Sequence, residues 1–259
     1  MSARAPRLLV VAGYDPSGAG IDADREALAG LALDVRLVVT ALTEQDAGGV
    51  RRIGARGTGL WLPEALRELP IAALKFGLLP SREDVQAAAE LVRAAREAAG
   101  EQPIHAVVDP VLASSSGSRF LSREDAREYL RSLLPARVVL TPNLDELAEL
   151  TGADRERLVH EPQVRVEAAR TLLELGAQAL VVKGGHGAES PARDLVLERG
   201  APAEWLAHER IPGGKVRGSG CRFAARLAAK LALGASLREA AREASAHVLE
   251  KLRAASARA

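Results

Sequence analysis

Short aliphatic runs, most of them closing on Gly, Asp or Lys, alternate along this chain with longer amphipathic stretches. Residues 8–12 end at Gly13, 72–76 at Gly77, 104–108 at Asp109-Pro110, 138–140 at Thr141-Pro142-Asn143, and 179–182 at Lys183-Gly184-Gly185. Residues 35–42 form a further apolar run rich in Val and Thr. Helices are predicted over 20–33, 62–69, 81–99, 122–134 and 164–175. Ser81 with Asp84 makes a capping-box-like start and Gly100 a stop, and Ser122 repeats the same Ser-Arg-Glu-Asp start. Strands that alternate with helices of roughly 10–15 residues imply crossover units, and so a mostly parallel central sheet with helices on both faces. Beyond residue 190 the pattern changes. Residues 195–197 and 205–211 read as an antiparallel strand pair, and two helices follow, 220–233 and 237–253, the second capped by Ser236 with Glu239.

No long linker, low-complexity tract or internal repeat interrupts the 259 residues, so a single three-layer α/β domain over 1–259 is expected. A formal net charge of +1 and 3% aromatic residues argue against nucleic-acid binding, which concentrates positive charge and stacking rings. No apolar stretch approaches the roughly 20 residues that span a bilayer, and residues 8–12 are too short for a signal-peptide core. A cytoplasmic protein with no membrane partner is the expectation. The lone Cys221 excludes an internal disulfide and a multi-cysteine zinc site.

In open parallel sheets, ligands bind beyond the carboxyl ends of the strands. The residues there form a dense set of Gly, carboxylate, amide and ammonium groups: Gly13-Tyr14-Asp15, Gln45-Asp46, Lys75, Asp109, Asn143 and Lys183-Gly184-Gly185-His186. Only five lysines occur against 35 Lys plus Arg, and two of them, Lys75 and Lys183, fall at strand ends, where a compact point charge suits phosphate oxygens. Arg217-Gly218-Ser219-Gly220-Cys221 opens a helix with small residues, so its unpaired N–H groups and the helix dipole make an anion site. Cys221 falls in the first helical turn, where a thiolate is stabilised and the thiol pKa drops, so it can act as a general base. Asp15-Pro16-Ser17-Gly18-Ala19-Gly20 is a second glycine-rich turn, but neither a dinucleotide fingerprint nor a P-loop.

Seven turns in series resemble the hydroxymethylpyrimidine/phosphomethylpyrimidine kinases of thiamin biosynthesis, in the ribokinase-like superfamily. They are 12–24, Thr40-Ala41 with Gln45-Asp46, 75–79, Asp109-Pro110-Val111 with Ser116-Gly117, 141–146, 183–186 and 218–221. The resemblance implies a ribokinase-like fold and phosphorylation of a pyrimidine hydroxymethyl group, and then of the monophosphate, using ATP and Mg²⁺. It implies that Gln45 bonds the aminopyrimidine edge, with Gly13, Tyr14 and Asp24 at the substrate pocket. Gly218, Ser219, Gly220 and Cys221 would cradle the migrating phosphoryl group, with Cys221 as base. Lys183, Asn143 and Arg217 would face the ATP phosphates, and Asp109 and Glu146 would lie near Mg²⁺ through water. A homodimer is implied as well. The chain departs from the family pattern in a first glycine turn one residue shorter, in Tyr14, Asp22 and Asp46, and in Arg217 where a histidine is usual. These departures bear on the substrate more than on the reaction. The alternatives are a kinase for a related hydroxymethyl heterocycle such as pyridoxal or pyridoxine, and a non-catalytic pyrimidine-binding homologue.

Overall fold

Leu8, Val10 and Ala12 alternate with Leu9 and Val11 along β1 (Arg7–Asp15), and all five are fully buried. A strand apolar on both faces requires cover on both faces. In the computed structural model, which describes residues 5–46, 49–114, 117–212 and 216–257, and only the backbone of 45, 46 and 49–52, that cover is present on each side. After β1 come β2 (Ala19–Gly20), α1 (Ile21–Leu28), β3 (Asp34–Asp46), β4 (Gly49–Ala55), α2 (Thr58–Leu66), β5 (Ala73–Phe76), α3 (Arg82–Ala99) and β6 (His105–Val108). Then follow α4 (Arg123–Glu128), which runs into a π-helical turn over Tyr129–Leu133, β7 (Val139–Leu140), α5 (Leu144–Thr151), α6 (Arg155–His160), α7 (Pro162–Glu174) and β8 (Ala179–Val182). The last described elements are β9 (Ala192–Glu198), β10 (Glu204–His208), α8 (Ser219–Ala232) and α9 (Leu237–Ser256).

Among the described residues the strands form one sheet, ordered β10-β9-β8-β7-β6-β5-β1-β3-β4, with β2 paired to β1. β3, β1 and β5 through β8 are parallel, whereas β4, β9 and β10 are antiparallel additions at the two edges. Leu8, Val10 and Ala12 pack into a core with α1, α8 and α9, and Leu9 and Val11 into the opposite core with α2, α3, α5 and α7. The three-layer expectation holds. Because β3 lies on one side of β1 while β5 and its successors lie on the other, chain direction across the sheet reverses at β1. Such a switch point opens a crevice at the carboxyl ends of the strands.

The differences from the sequence reading are local. The helix expected over 20–33 ends at Leu28, because Gly30 takes a left-handed conformation (φ 77°). The helix expected over 62–69 starts earlier, at Thr58, and stops at Leu66. The one expected over 122–134 changes to π-helical at Tyr129. Four elements were not foreseen. β2 pairs back on β1 at the end of the first glycine-rich turn, β4 pairs with an unexpectedly long β3, α5 starts at an Asn143 cap, and α6 starts at an Asp154 cap. No helix among the described residues is long and apolar enough to cross a membrane.

Candidate active site

Each strand end is pinned to its neighbour by one backbone bond. Gly77 N–H donates to the Val11 carbonyl, Asp109 N–H to Phe76, Thr141 N–H to Val108 and Lys183 N–H to Pro142, all at 2.9 Å. This stagger sets Gly77, Asp109 and Lys183 side by side along one rim of the sheet. A cleft of about 530 Å³ lies over them, bounded opposite by the N-terminal turn of α8.

Lys183 Nζ donates to Asp109 Oδ1 at 2.7 Å and lies 3.9 Å from Glu146 Oε2. Burial favours the neutral lysine, but the two carboxylates outweigh it and hold the ammonium above its ordinary pKa. Glu146 is fixed from its own helix: Glu146 N–H donates to Asn143 Oδ1 at 2.9 Å, and Asn143 N–H donates to Glu146 Oε2 at 2.7 Å. This is a reciprocal cap, so the local sequence both starts α5 and aims a carboxylate at Lys183. Burial pushes Glu146 up to about 7, reinforced by Asp109 and opposed by Lys183 and the Asn143 amide.

Gly218 caps α8 in a left-handed conformation (φ 74°), and a Cβ there would stand 3.0 Å from Ala19 Cα and from Ala23 Cβ. Glycine therefore lets α8 settle against the first glycine-rich turn and α1. The Ser219 amide reaches the Val216 carbonyl at 3.3 Å, whereas the Gly220 and Cys221 amides have no acceptor among the described residues. A Cβ on Gly220 would lie 3.1 Å from Lys183 Nζ and 3.3 Å from Asp109 Oδ2. Two open amides at a positive helix end thus lie beside a lysine ammonium, an arrangement suited to an anionic oxygen cluster. Arg217 lines the cleft and bonds Asp15 Oδ2 through Nη2 (2.9 Å) and Nε (3.2 Å). Burial would raise Asp15, but the Ser17 hydroxyl and amide and the Arg217 guanidinium outweigh it and hold the carboxyl below its ordinary range.

Cys221 lines the cleft as expected, but its thiol is not depressed. Burial pushes it up to about 11; the Lys75 ammonium and the Gly20 N–H oppose this, while Asp24 and Asp109 add to it. Desolvation of a thiolate here exceeds what the helix end was expected to supply. Two substrate-side expectations are also corrected. Ala12, Gly13 and Asp15 line the cleft, whereas Tyr14 does not; the pairing of β1 with β3 shifts register between Ala12 and Tyr14. Asp24 has no exposed surface and is paired with Lys75 beneath the cleft floor, so it touches no ligand directly. The side chain of Gln45 and the residue Ser116 lie outside the described residues. Gly218, Ser219, Gly220, Asp109, Asn143, Glu146 and Lys183 all line the cleft.

Sequence reasoning missed Thr43, Leu112, Ala113, Ser114, Phe120 and Glu149 as lining residues. Ala113 and Arg119 form a backbone bridge, and Arg119 is held by Glu149. Also missed was Asp194. It is buried and accepts from Gly184 N–H (2.8 Å), Ser245 Oγ (2.7 Å) and His208 Nε2 (3.3 Å), fixing the backbone just after Lys183.

A family model described as phosphomethylpyrimidine kinase matches residues 15–258. The hydroxymethylpyrimidine/phosphomethylpyrimidine kinase of Streptomyces coelicolor is 36% identical over 233 residues, covering 86% of this chain and 79% of that protein. The crystal structure of phosphomethylpyrimidine kinase from Clostridium difficile 630 superposes with a TM-score of 0.77 at 26% identity, covering 95% of this chain and 98% of that one. An ADP complex of Bacillus subtilis pyridoxal kinase superposes with a TM-score of 0.82 at 28% identity, covering 93% and 90%.

Proposed function

The chain belongs to the phosphomethylpyrimidine kinase family, and we propose on that footing that it phosphorylates 4-amino-5-hydroxymethyl-2-methylpyrimidine and its monophosphate in thiamin biosynthesis, with ATP as donor. It is a phosphotransferase of ribokinase-like fold. The observation that carries the reading is the convergence of the open Gly220 and Cys221 amides with the Lys183 ammonium in the cleft. Phosphoryl transfer needs mainly in-line positioning and neutralisation of charge on the equatorial oxygens, and this constellation supplies both.

In this reading the γ-phosphoryl group sits in the cradle of Gly218, Ser219, Gly220 and Cys221, with Lys183 against its oxygens. As the acceptor oxygen bonds to phosphorus and the bond to ADP breaks, the acceptor proton passes to the Cys221 sulfur. A thiol near 11 is almost wholly protonated at neutral pH, so the ionised sulfur is a minor species whose population rises tenfold per pH unit. Asn143 and Arg217 face the nucleotide. Arg217 does so while paired with Asp15, so it braces the turn as well as contributing charge. Gly13 and Gln45 serve the pyrimidine, with Thr43 on the same strand lining the cleft. Asp24 acts only through Lys75.

Asp109 and Glu146 do not fit a resident metal centre. Asp109 holds Lys183, Glu146 holds the Asn143 amide, and no group of three or more His, Cys, Asp or Glu suited to a metal occurs among the described residues. The two carboxylates suit instead the margin of a hydrated Mg²⁺ brought in by ATP, which would neutralise phosphate charge.

The pyridoxal-type reading draws on the higher TM-score of the Bacillus subtilis enzyme, 0.82 against 0.77. The 36% identity to a pyrimidine kinase favours the first reading. A cytoplasmic homodimer with 1–259 as one catalytic unit completes the proposal, and sedimentation velocity tests the dimer. The deciding experiment is ADP release with the pyrimidine, its monophosphate, pyridoxal and pyridoxine. A preference of 10-fold or more in kcat/KM for the pyrimidines is expected. A reversed preference selects the pyridoxal reading, and tight pyrimidine binding without turnover selects the non-catalytic one.

A further inference from the structure

Arg222 follows Cys221 in α8, is buried, and does not itself line the cleft. Its guanidinium is divided between two partners. Nε (3.1 Å) and Nη2 donate to Glu26 Oε2 on α1, and Nη1 donates to the Arg217 carbonyl at 2.6 Å. Glu26 Oε1 is bound in turn by Lys251 of α9. The carboxylate contacts join three helices. The carbonyl contact joins nothing new, because Arg217 and Arg222 flank the same helix start, and so it calls for another explanation. A rigid fork of N–H donors suits such a division between two acceptors.

In an α-helix each N–H donates to the carbonyl four residues earlier, so the Cys221 amide would ordinarily take the Arg217 carbonyl. Here Gly218 is left-handed (φ 74°), the Arg217 carbonyl accepts from Arg222, and the Gly218, Gly220 and Cys221 amides have no acceptor among the described residues. A Cβ on Gly218 would stand 3.1 Å from Arg222 Nη1, so the guanidinium lies against the cap residue itself. A trans peptide sets its C=O and N–H on opposite sides. Holding the Arg217 carbonyl on Arg222 therefore turns the Gly218 N–H away from Arg222.

We infer that Arg222 is a positioning residue of the phosphoryl cradle: by retaining the Arg217 carbonyl, it keeps the Gly218 and Cys221 amides open for phosphoryl oxygens. The inference rests on the proposed reading of that turn as the cradle. Arg217 is then fixed at both ends, its side chain by Asp15 and its carbonyl by Arg222. Arg226, one turn further along α8, supplies the comparison. Its Nη1 donates to the Ala27 carbonyl of α1 at 3.1 Å, and it does not line the cleft.

Arg222→Met keeps an unbranched side chain and removes its donors. At a temperature where the variant is folded, kcat for pyrimidine phosphorylation is expected to fall 5-fold or more, with KM for the pyrimidine changed less than 3-fold. Arg226→Met is expected to lower Tm and to leave kcat within 2-fold. A loss below 5-fold in Arg222→Met, or an equal loss in Arg226→Met, overturns the inference. Should Arg222→Met fail to fold, Arg222→Met/Glu26→Met, which leaves no unpaired carboxylate behind, is held to the same thresholds. Amide exchange gives a readout that needs no activity. The residue-222 N–H donates to the Gly218 carbonyl at 3.0 Å and so reports on the first turn of α8. It should exchange at least 5-fold faster in Arg222→Met, with residues 228–231 changed less than 2-fold. Equal acceleration along the helix is plain loss of stability and overturns the inference. If the native chain phosphorylates no hydroxymethyl heterocycle, the proposed function falls, and the exchange result alone decides whether Arg222 orders this turn.

Discussion

Replacing Gly220 with alanine separates stability from activity, because the added methyl group helps the helix and harms the cleft. Gly220 lies in the first turn of α8 and has no positive φ, so the backbone accepts alanine without strain. Alanine is preferred to glycine in helices by up to about 1 kcal/mol. At this chain length that corresponds to a rise in Tm of up to about 4 °C. The cost falls elsewhere. The new Cβ would stand 3.1 Å from Lys183 Nζ and 3.3 Å from Asp109 Oδ2, each a few tenths of an ångström too close. The lysine cannot swing away freely, since Asp109 holds it at 2.7 Å. The methyl group also crowds the Lys183 ammonium that the proposal sets against the phosphoryl oxygens. Loss of one such donor costs on the order of 10²–10³ in kcat, and a displacement of about 1 Å in a reacting group has a similar effect. Thermal unfolding and ADP release on one preparation test both halves. A Gly220→Ala protein that keeps more than half of the native kcat would refute the cradle, whatever its Tm.

The Arg217–Asp15 bond predicts that Arg217→Ala and Asp15→Asn each lower kcat/KM about 10-fold and that the double variant loses little more, a coupling a double-mutant cycle reads directly; unchanged turnover in Arg217→Ala rules out a role for that residue. Asp194→Ala orphans the Gly184 amide, the Ser245 hydroxyl and His208, so a fall in Tm of about 4 °C or more is expected, at roughly 1–3 kcal/mol per buried group left unpaired, together with reduced kcat as Lys183 shifts. Glu146 holds its proton up to about pH 7 in the folded chain, whereas an unfolded glutamate releases it near 4.5. Between those values the folded state binds more protons, so the stability this group contributes is present at low pH and lost as pH rises through 7. Glu146→Gln keeps the oxygen that caps Asn143 but cannot ionise, so its Tm relative to the native chain should improve between pH 5 and pH 8; a difference independent of pH contradicts the raised carboxyl.

The strand ends were legible because parallel strands buried on both faces read as unbroken apolar runs, and the residue that breaks each run is the one delivered to the cleft. Gly13, Asp109 and Lys183 were found in this way. α5 escaped, although Asn143 and Glu146 already had the spacing of a reciprocal cap, because Thr141-Pro142-Asn143 read as a turn and only eight residues follow before Gly152. β4 escapes a sequence reading because Val50-Arg51-Arg52-Ile53 is no apolar run and its partner β3 continues antiparallel pairing beyond the apolar run that ends at residue 42. Contacts between distant positions left no local trace. Asp24 meets Lys75 across 51 residues and Asp15 meets Arg217 across 202. Tyr14 carried no local signal for its placement: β1 continues to Asp15, and its pairing with β3 shifts register between Ala12 and Tyr14, so the residue pattern alone does not tell which of 13–15 line the cleft.

The Cys221 thiol shows why a rule about position can fail when burial competes with it. The first turn of a helix favours a thiolate through roughly half a unit of positive charge, an effect worth 0.3–1 kcal/mol where water screens it. Removing the sulfur from water acts on the same equilibrium in the opposite direction, and a fully buried group can shift by several pKa units. In this chain burial prevails even with Lys75 opposing it. A base with a high pKa is also a strong one, so a sulfur ionised rarely, in a cleft that already holds an ammonium and open amides, is matched to an alcohol proton that is itself difficult to remove. On the proposed reading the helix end serves the phosphoryl oxygens, and the sulfur serves the acceptor hydroxyl.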